Sequence, residues 1–209
     1  MDDSRLSGAP TYSQHAELIS SSADRNLINK RIDLDWLRRH ANDELSLAGQ
    51  SPENAMFKLA KTEICKDKIL SMDVASQAQY LITGHDKSLS LWKLPTFEKV
   101  WEKRVATIEK EESKVNGVKS SGTNQVQLRV LIDDYASVVV SSSTSKRVTI
   151  YEAATGNPLC RAQPGQITTA MCFSNNLKHL ITTSDNGLIF IWRLPEKMAQ
   201  CLSHIKHEA

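Results

Sequence analysis

The chain has 209 residues, a formal net charge of +2 and 40% hydrophobic residues, enough to bury one good core or two small ones. Its lysines and arginines are mixed with acids throughout, which argues against an electrostatic nucleic-acid or membrane partner. The polar start MDDSRLSGAP lacks the basic and apolar run of a secretory signal, and no segment approaches the roughly 18 apolar residues of a membrane helix, so a soluble intracellular protein is expected.

Residues 1–16 read as a disordered N-terminus. A partial strand unit over 17–60 follows, with the hairpin LISSSADRNLINKR from Leu18 and a short outer strand at Ala55–Leu59. Inside it, DLDWLRRHANDELSLAGQ (33–50) breaks the strand pattern: Leu34, Leu37, Ala41 and Leu45 fall on one helical face, between Asp33 as N-cap and Gly49 as stop. The unit 61–105 has an inner strand at Ile69–Ala75, the hairpin LITGHDKSLSLWKL from Leu81 and an outer strand at Lys99–Val105. Lys, Glu, Ser and Gly dominate the aperiodic loop insertion at 106–125. In the unit 126–163, Val126–Asp133 leads to VVVSSSTSKRVTIYEA from Val138, a Thr155-Gly156 turn and an outer strand at Pro158–Ala162. The unit 164–205 repeats the order with Ile167–Ser174, LITTSDNGLIFIWRLP from Leu180 and Met198–His204, and 206–209 is a tail.

Each hairpin opens on a β-branched apolar run, turns on small or polar residues, and alternates to a large closing residue. Trp192 stands 41 residues after Tyr151, the length of one four-stranded propeller blade. Strand, hairpin, strand at that spacing predicts an all-β fold, a WD-repeat β-propeller fragment of about three and a half four-stranded blades. The turn position six residues before the closing residue holds Asp24, Asp86, Ser145 and Asn186. The closing residues are Lys30, Trp92, Tyr151 and Trp192. Only the second repeat keeps both the aspartate and the tryptophan, and Pro164-Gly165-Gln166 stands where a Gly-His pair is usual. The blades are chemically degenerate and lean on apolar packing. Asp24, Asp86, Trp92, Tyr151, Asn186 and Trp192 are the expected WD-repeat structural residues.

MCFSNNLKHLITTSDNGLIFIWRLPEKM (171–198) resembles the final blade of the second propeller in the mitogen-activated protein kinase-binding WD-repeat scaffold family. VLIDDYASVVVSSSTSKRVTIYEAATGNPL and DKILSMDVASQAQYLITGHDKSLSLWKL are similar to the two blades before it, and LISSSADRNLINKR to half of a fourth. The resemblance runs in order from Leu18 to Leu202. It implies a non-catalytic scaffold that gathers kinases or cytoskeletal and centrosomal proteins, in Jun N-terminal kinase signalling or at the mitotic spindle pole, in the cytoplasm. It also implies missing blades encoded elsewhere in a longer chain, because closure takes at least four and usually seven. An open end would expose an apolar blade face. The alternative is a WD-repeat subunit of an unrelated chromatin, ribosome-biogenesis or ubiquitin-ligase complex.

The insertion carries a sharper candidate. Arg38-Arg39, a five-residue spacer and Leu45-x-Leu47 fit a kinase docking segment, in which a basic pair meets an acidic patch and alternating leucines fill a groove. Ser51-Pro52 would suit a proline-directed kinase, which makes Ser51 a candidate phosphosite; the blander reading of 33–50 is a helix on the propeller rim. Cys65, Cys160, Cys172 and Cys201 form no CxxC pair and read as free thiols, and Cys201, His204 and His207 offer three ligands where zinc takes four. Asp133-Asp134 point to opposite strand faces, and no Gly-rich phosphate loop, HExxH or nucleophile elbow is present. No catalytic residue, metal or cofactor is expected.

Overall fold

The computed structural model describes residues 15–21, 24–34, 57–104 and 127–196, with no side-chain description for 15, 33, 57–61, 127 and 128. Among these residues the protein is all-β, built as antiparallel sheets in sequence order, which is the propeller-blade arrangement. It divides into two compact units. One comprises Met1–Ser20 with Leu27–Thr62, the other Ser21–Asn26 with Glu63–Ala209.

The first unit carries most of the sheet β1 (His15–Ser21), β2 (Asn26–Asp33) and β3 (Phe57–Ile64), ordered β1-β2-β3. Leu27 and Asn29 alternate on its buried side, and Asn29 Nδ2 donates to Glu17 Oε2 at 3.1 Å. β3 runs to Ile64, past the expected Ala55–Leu59, because FKLAKTEI keeps an extended pattern with no Gly or Pro to stop it. Asp33 closes β2; beyond Leu34 the proposed insertion helix lies outside the described residues.

The second unit contains three consecutive blades. The first is β4 (Ile69–Ala75), β5 (Tyr80–His85), β6 (Ser88–Lys93) and β7 (Glu98–Arg104). Next come β8 (Gln127–Ile132), β9 (Val138–Ser143), β10 (Val148–Glu152) and β11 (Pro158–Ala162), and then β12 (Thr168–Phe173), β13 (His179–Ser184) and β14 (Ile189–Arg193). Every neighbour pair is antiparallel, so each blade is a simple up-and-down ribbon. The expected outer strand at Met198–His204 lies outside the described residues, as does the loop 106–125.

Side-chain alternation supplies two faces per blade, and stacking buries them. Ile82, Leu89 and Leu91 of the first blade pack on Val130, Ile132, Val139 and Tyr151 of the second. The second blade's other face, with Val140, Val148 and Ile150, packs on Leu180, Met171, Phe173 and Trp192 of the third. Burying each such side chain is worth roughly 1.5–3 kcal/mol, so apolar burial drives the stacking.

Polar contacts set the alignment of the stack. β8 bonds to β9 along one edge only. On its free edge, the Val130 amide donates to Ser71 Oγ at 3.1 Å and the Ile132 amide to Asp73 Oδ2 at 2.9 Å. Side chains of one blade's inner strand thus satisfy the backbone of the next, where buried amides would otherwise be left unpaired. Burial outweighs these hydrogen bonds and pushes the Asp73 carboxyl up. Trp101 on β7 reaches the next blade too, its Nε1 donating to the Ala153 carbonyl at 2.7 Å.

Candidate functional site

The closing tryptophans are held by hydroxyls on the neighbouring strand. Trp92 pairs across the sheet with Leu81, and its Nε1 donates to Thr83 Oγ1 at 2.8 Å. Thr83 Oγ1 also lies 2.8 Å from His85 Nε2, and His85 Nδ1 lies 3.3 Å from the Asp67 carbonyl. That carbonyl can only accept, so Nδ1 carries a proton and the neutral ring takes the Thr83 hydroxyl proton on Nε2. Burial holds the His85 ring below its ordinary basicity, against the raising effect of the Asp67 carbonyl. Lys99 Nζ sits 4.8 Å above the Trp92 ring and binds Glu102 at 2.8 Å, which holds the Glu102 carboxyl below its usual range. In the third blade Trp192 Nε1 donates to Thr182 Oγ1 at 2.9 Å, the place that Thr83 fills in the first.

Asp86 is not part of this network and makes no hydrogen bond among the described residues. From Leu81 to Trp92 the hairpin is one residue shorter than from Val139 to Tyr151 or Leu180 to Trp192. Asp86 therefore occupies a two-residue turn, while Ser145 and Asn186 occupy equivalent places in three-residue turns, closed by the Ser143 amide on the Arg147 carbonyl and the Ser184 amide on the Leu188 carbonyl. There Ser143 Oγ meets Ser145 Oγ at 2.6 Å, and Ser184 Oγ donates to Asn186 Oδ1 at 2.7 Å. His85 stands where those loops have Ser143 and Ser184. Tyr151 is buried in the joint between the first two blades. Asp24 caps its own exposed turn, accepting from the Asn26 amide at 3.2 Å and Asn26 Nδ2 at 2.8 Å. Thr83, Thr182 and His85 were missed by the repeat reading. The signal was there as the shared Leu-Ile-Thr opening of two hairpins and as Gly84-His85 at a strand end. Arg38, Arg39, Leu45, Leu47 and Ser51 lie outside the described residues, as does the Cys201, His204, His207 cluster.

Turns at one end of the blades form the candidate interaction site. A cleft of about 310 Å³ opens between the β8–β9 and β12–β13 turns, with Asp134, Tyr135, Phe173, Asn175 and Leu177 in its wall. Asp133 is its rigid base. The residue is 2% exposed, and its carboxylate accepts from the Ser137 and Val138 amides at 2.7 Å and from the Tyr135 amide at 3.3 Å, while burial raises its pKa in spite of those bonds. Asp134 is exposed and accepts from Ser76 Oγ at 3.2 Å. An aromatic and apolar notch with one exposed carboxylate suits a partner's apolar or cationic side chain. Among the described residues no group of His, Cys, Asp or Glu is arranged to hold a metal.

The WD40 family model (WD domain, G-beta repeat) matches residues 159–193. Residues 159–193 are a WD40 repeat. No curated protein matches the chain. In the fold this WD40 repeat begins on β11, the outer strand of one blade, and runs through the three strands of the next. The sequence repeat therefore straddles the joint whose apolar core includes Leu180 and Trp192, and it lines the candidate cleft with Phe173 and Leu177. WD40 repeats generally mediate protein–protein interaction and are generally non-catalytic, so the chain carries an interaction module.

Proposed function

We propose that the chain is a non-catalytic scaffold that docks a protein kinase of the Jun N-terminal kinase pathway on the turn end of its blades, in the cytoplasm or at the spindle pole. The observation that carries the interaction part is the cleft between two WD-repeat turns, its floor fixed by Asp133. The kinase part draws on the resemblance of 171–198 to the kinase-binding scaffold family. A fixed floor with a half-buried tyrosine fits the pattern of interface anchors, in which a few aromatic contacts dominate.

The test is direct binding of the purified chain to purified Jun N-terminal kinase. Micromolar or tighter binding is expected, weakened about ten-fold or more by the double variant Asp134→Asn/Tyr135→Ala, since loss of a central anchor costs at least ~1.4 kcal/mol. No binding by the unaltered chain would overturn the kinase assignment. Binding untouched by the double variant would move the contact away from the cleft.

A further inference from the structure

The turns that join inner to second strands meet differently at the two joints of the second unit. Between the first and second blades they close on each other: the Ala78 amide donates to the Asp134 carbonyl at 3.0 Å and Ser76 Oγ to Asp134 Oδ1 at 3.2 Å. Register places Asn175 of the third blade where Asp134 stands in the second and Ser76 in the first. Between the second and third blades the corresponding turns part, and the cleft of about 310 Å³ lies there. The bond from Ser76 holds the Asp134 carboxylate by one oxygen, and among the described residues Oδ2 has no hydrogen-bond partner. Asp134 is exposed, while Tyr135, Phe173 and Leu177 line the cleft half-buried. The lining groups include two carboxylates, Asp133 and Asp134, and no cation.

We propose that this cleft seats an arginine side chain of a partner protein, its guanidinium on the free Asp134 oxygen and its plane and stem against Tyr135, Phe173 and Leu177. The volume falls at the small end of ligand pockets, roughly 300–1,000 Å³, which suits one long side chain and excludes a docked helix. Chemistry selects that side chain. An aliphatic or aromatic residue would desolvate the Asp134 carboxylate with nothing to pair it. An acidic one would be repelled: burial and then the Asp134 charge already push the Asp73 carboxyl up. Lysine would answer the charge, but its ammonium is strongly hydrated and does not stack. Guanidinium is weakly hydrated, forks its donors onto a carboxylate and stacks on aromatic rings. Arginine docking rests on the cleft being the scaffold's docking surface, but not on the partner being a kinase.

The probes are four capped amino acids, N-acetyl-arginine N-methylamide and its lysine, citrulline and leucine counterparts, titrated into the isotope-labelled 209-residue chain and followed by NMR. Citrulline keeps the shape of arginine without its charge. The arginine probe should shift the amides of Asp134, Tyr135 and Leu177 saturably, with a Kd on the order of 1 mM for so small a ligand. Lysine and citrulline should bind at least about three-fold more weakly, and leucine should give no saturable shift. Asp134→Asn should erase the preference for arginine over citrulline, and Tyr135→Ala should weaken both. Asp185→Asn, which removes an exposed charge from the turn at the far end of β13, should change nothing. The same spectra report whether each variant is folded. No saturable shift at these amides, binding of lysine or citrulline equal to that of arginine, or an arginine preference that survives Asp134→Asn would overturn the proposal. If the chain binds the kinase through the cleft yet shows no arginine preference, the arginine assignment fails alone. Arginine binding without kinase binding removes the kinase and leaves the cleft site standing.

Discussion

Thr83→Val removes one hydroxyl and almost no volume. In the folded protein that hydroxyl accepts the Trp92 indole proton at 2.8 Å and donates to His85 Nε2 at 2.8 Å. Thr83 is 0% exposed and Trp92 2%, so water cannot replace the lost partner. Leaving a buried donor unsatisfied costs about 1–3 kcal/mol, and His85 loses its short contact as well, giving an expected loss of about 2–4 kcal/mol. In the third blade Thr182→Val breaks the corresponding bond to a half-buried Trp192 with no histidine attached, so about 1 kcal/mol is expected there. Urea unfolding followed by circular dichroism of the full chain measures both. A cycle with Trp92→Phe isolates the pair and should return a coupling of about 1–2 kcal/mol. Equal losses at the two threonines, or a coupling below about 0.5 kcal/mol, would refute the reasoning.

Turn chemistry and titration give further tests. Lys146 and Gly187 occupy equivalent turn positions at φ 60° and 84°, so Lys146→Gly should stabilise by about 0.5–1 kcal/mol, relief of left-handed strain exceeding the added chain entropy. Gly156 has φ +68°, and a Cβ there would stand 3.0 Å from Lys103 and 3.1 Å from Trp101 side-chain atoms; Gly156→Ala should cost about 1–2 kcal/mol and loosen the Trp101 bond to Ala153, read by thermal melting. Because burial depresses the His85 pKa from 6.5, its contribution is complete above the unfolded value and is lost as pH falls from about 6.5 toward the folded value. Urea midpoints across pH 7.5 to 5 should fall for the unaltered chain and flatten in His85→Gln. Asp133→Ala strips the acceptor from three turn amides and should cost about 3 kcal/mol or more by urea unfolding.

Much of the blade grammar was legible in the residues. Ile69–Ala75 and Pro158–Ala162 form strands at the expected bounds, and the inner strands at 127–132 and 168–173 fall within a residue of their expected ends. Alternation at period two, ended by turn residues, is a local signal, and these strands answer to it. The partners of the tryptophans were not legible, since counting back from the closing residue assumes turns of one length. The two-residue turn at Asp86-Lys87 breaks that assumption and leaves His85 as the turn-end polar residue, while the tryptophan partner is a threonine at either turn length, Thr83 or Thr182. Nor was the cleft readable, because its walls come from turns some forty residues apart in sequence, brought together only by stacking. The exposed Ile189-x-Ile191 pair reads in sequence like any buried strand. Ile189 and Ile191 are nonetheless 67% and 69% exposed, because exposure is set by tertiary stacking and no local pattern encodes it.

Successive sheets stack as propeller blades, with side chains of one inner strand satisfying the backbone of the next. Native-state hydrogen exchange at the Val130 and Ile132 amides tests this stacking most directly, because these point away from β9 and toward Ser71 and Asp73. Both amides should exchange at least about 100-fold more slowly than free chain, and Asp73→Ala should release Ile132 far more than Val130. Free-chain exchange at both positions, with β9 still protected, would contradict the stack.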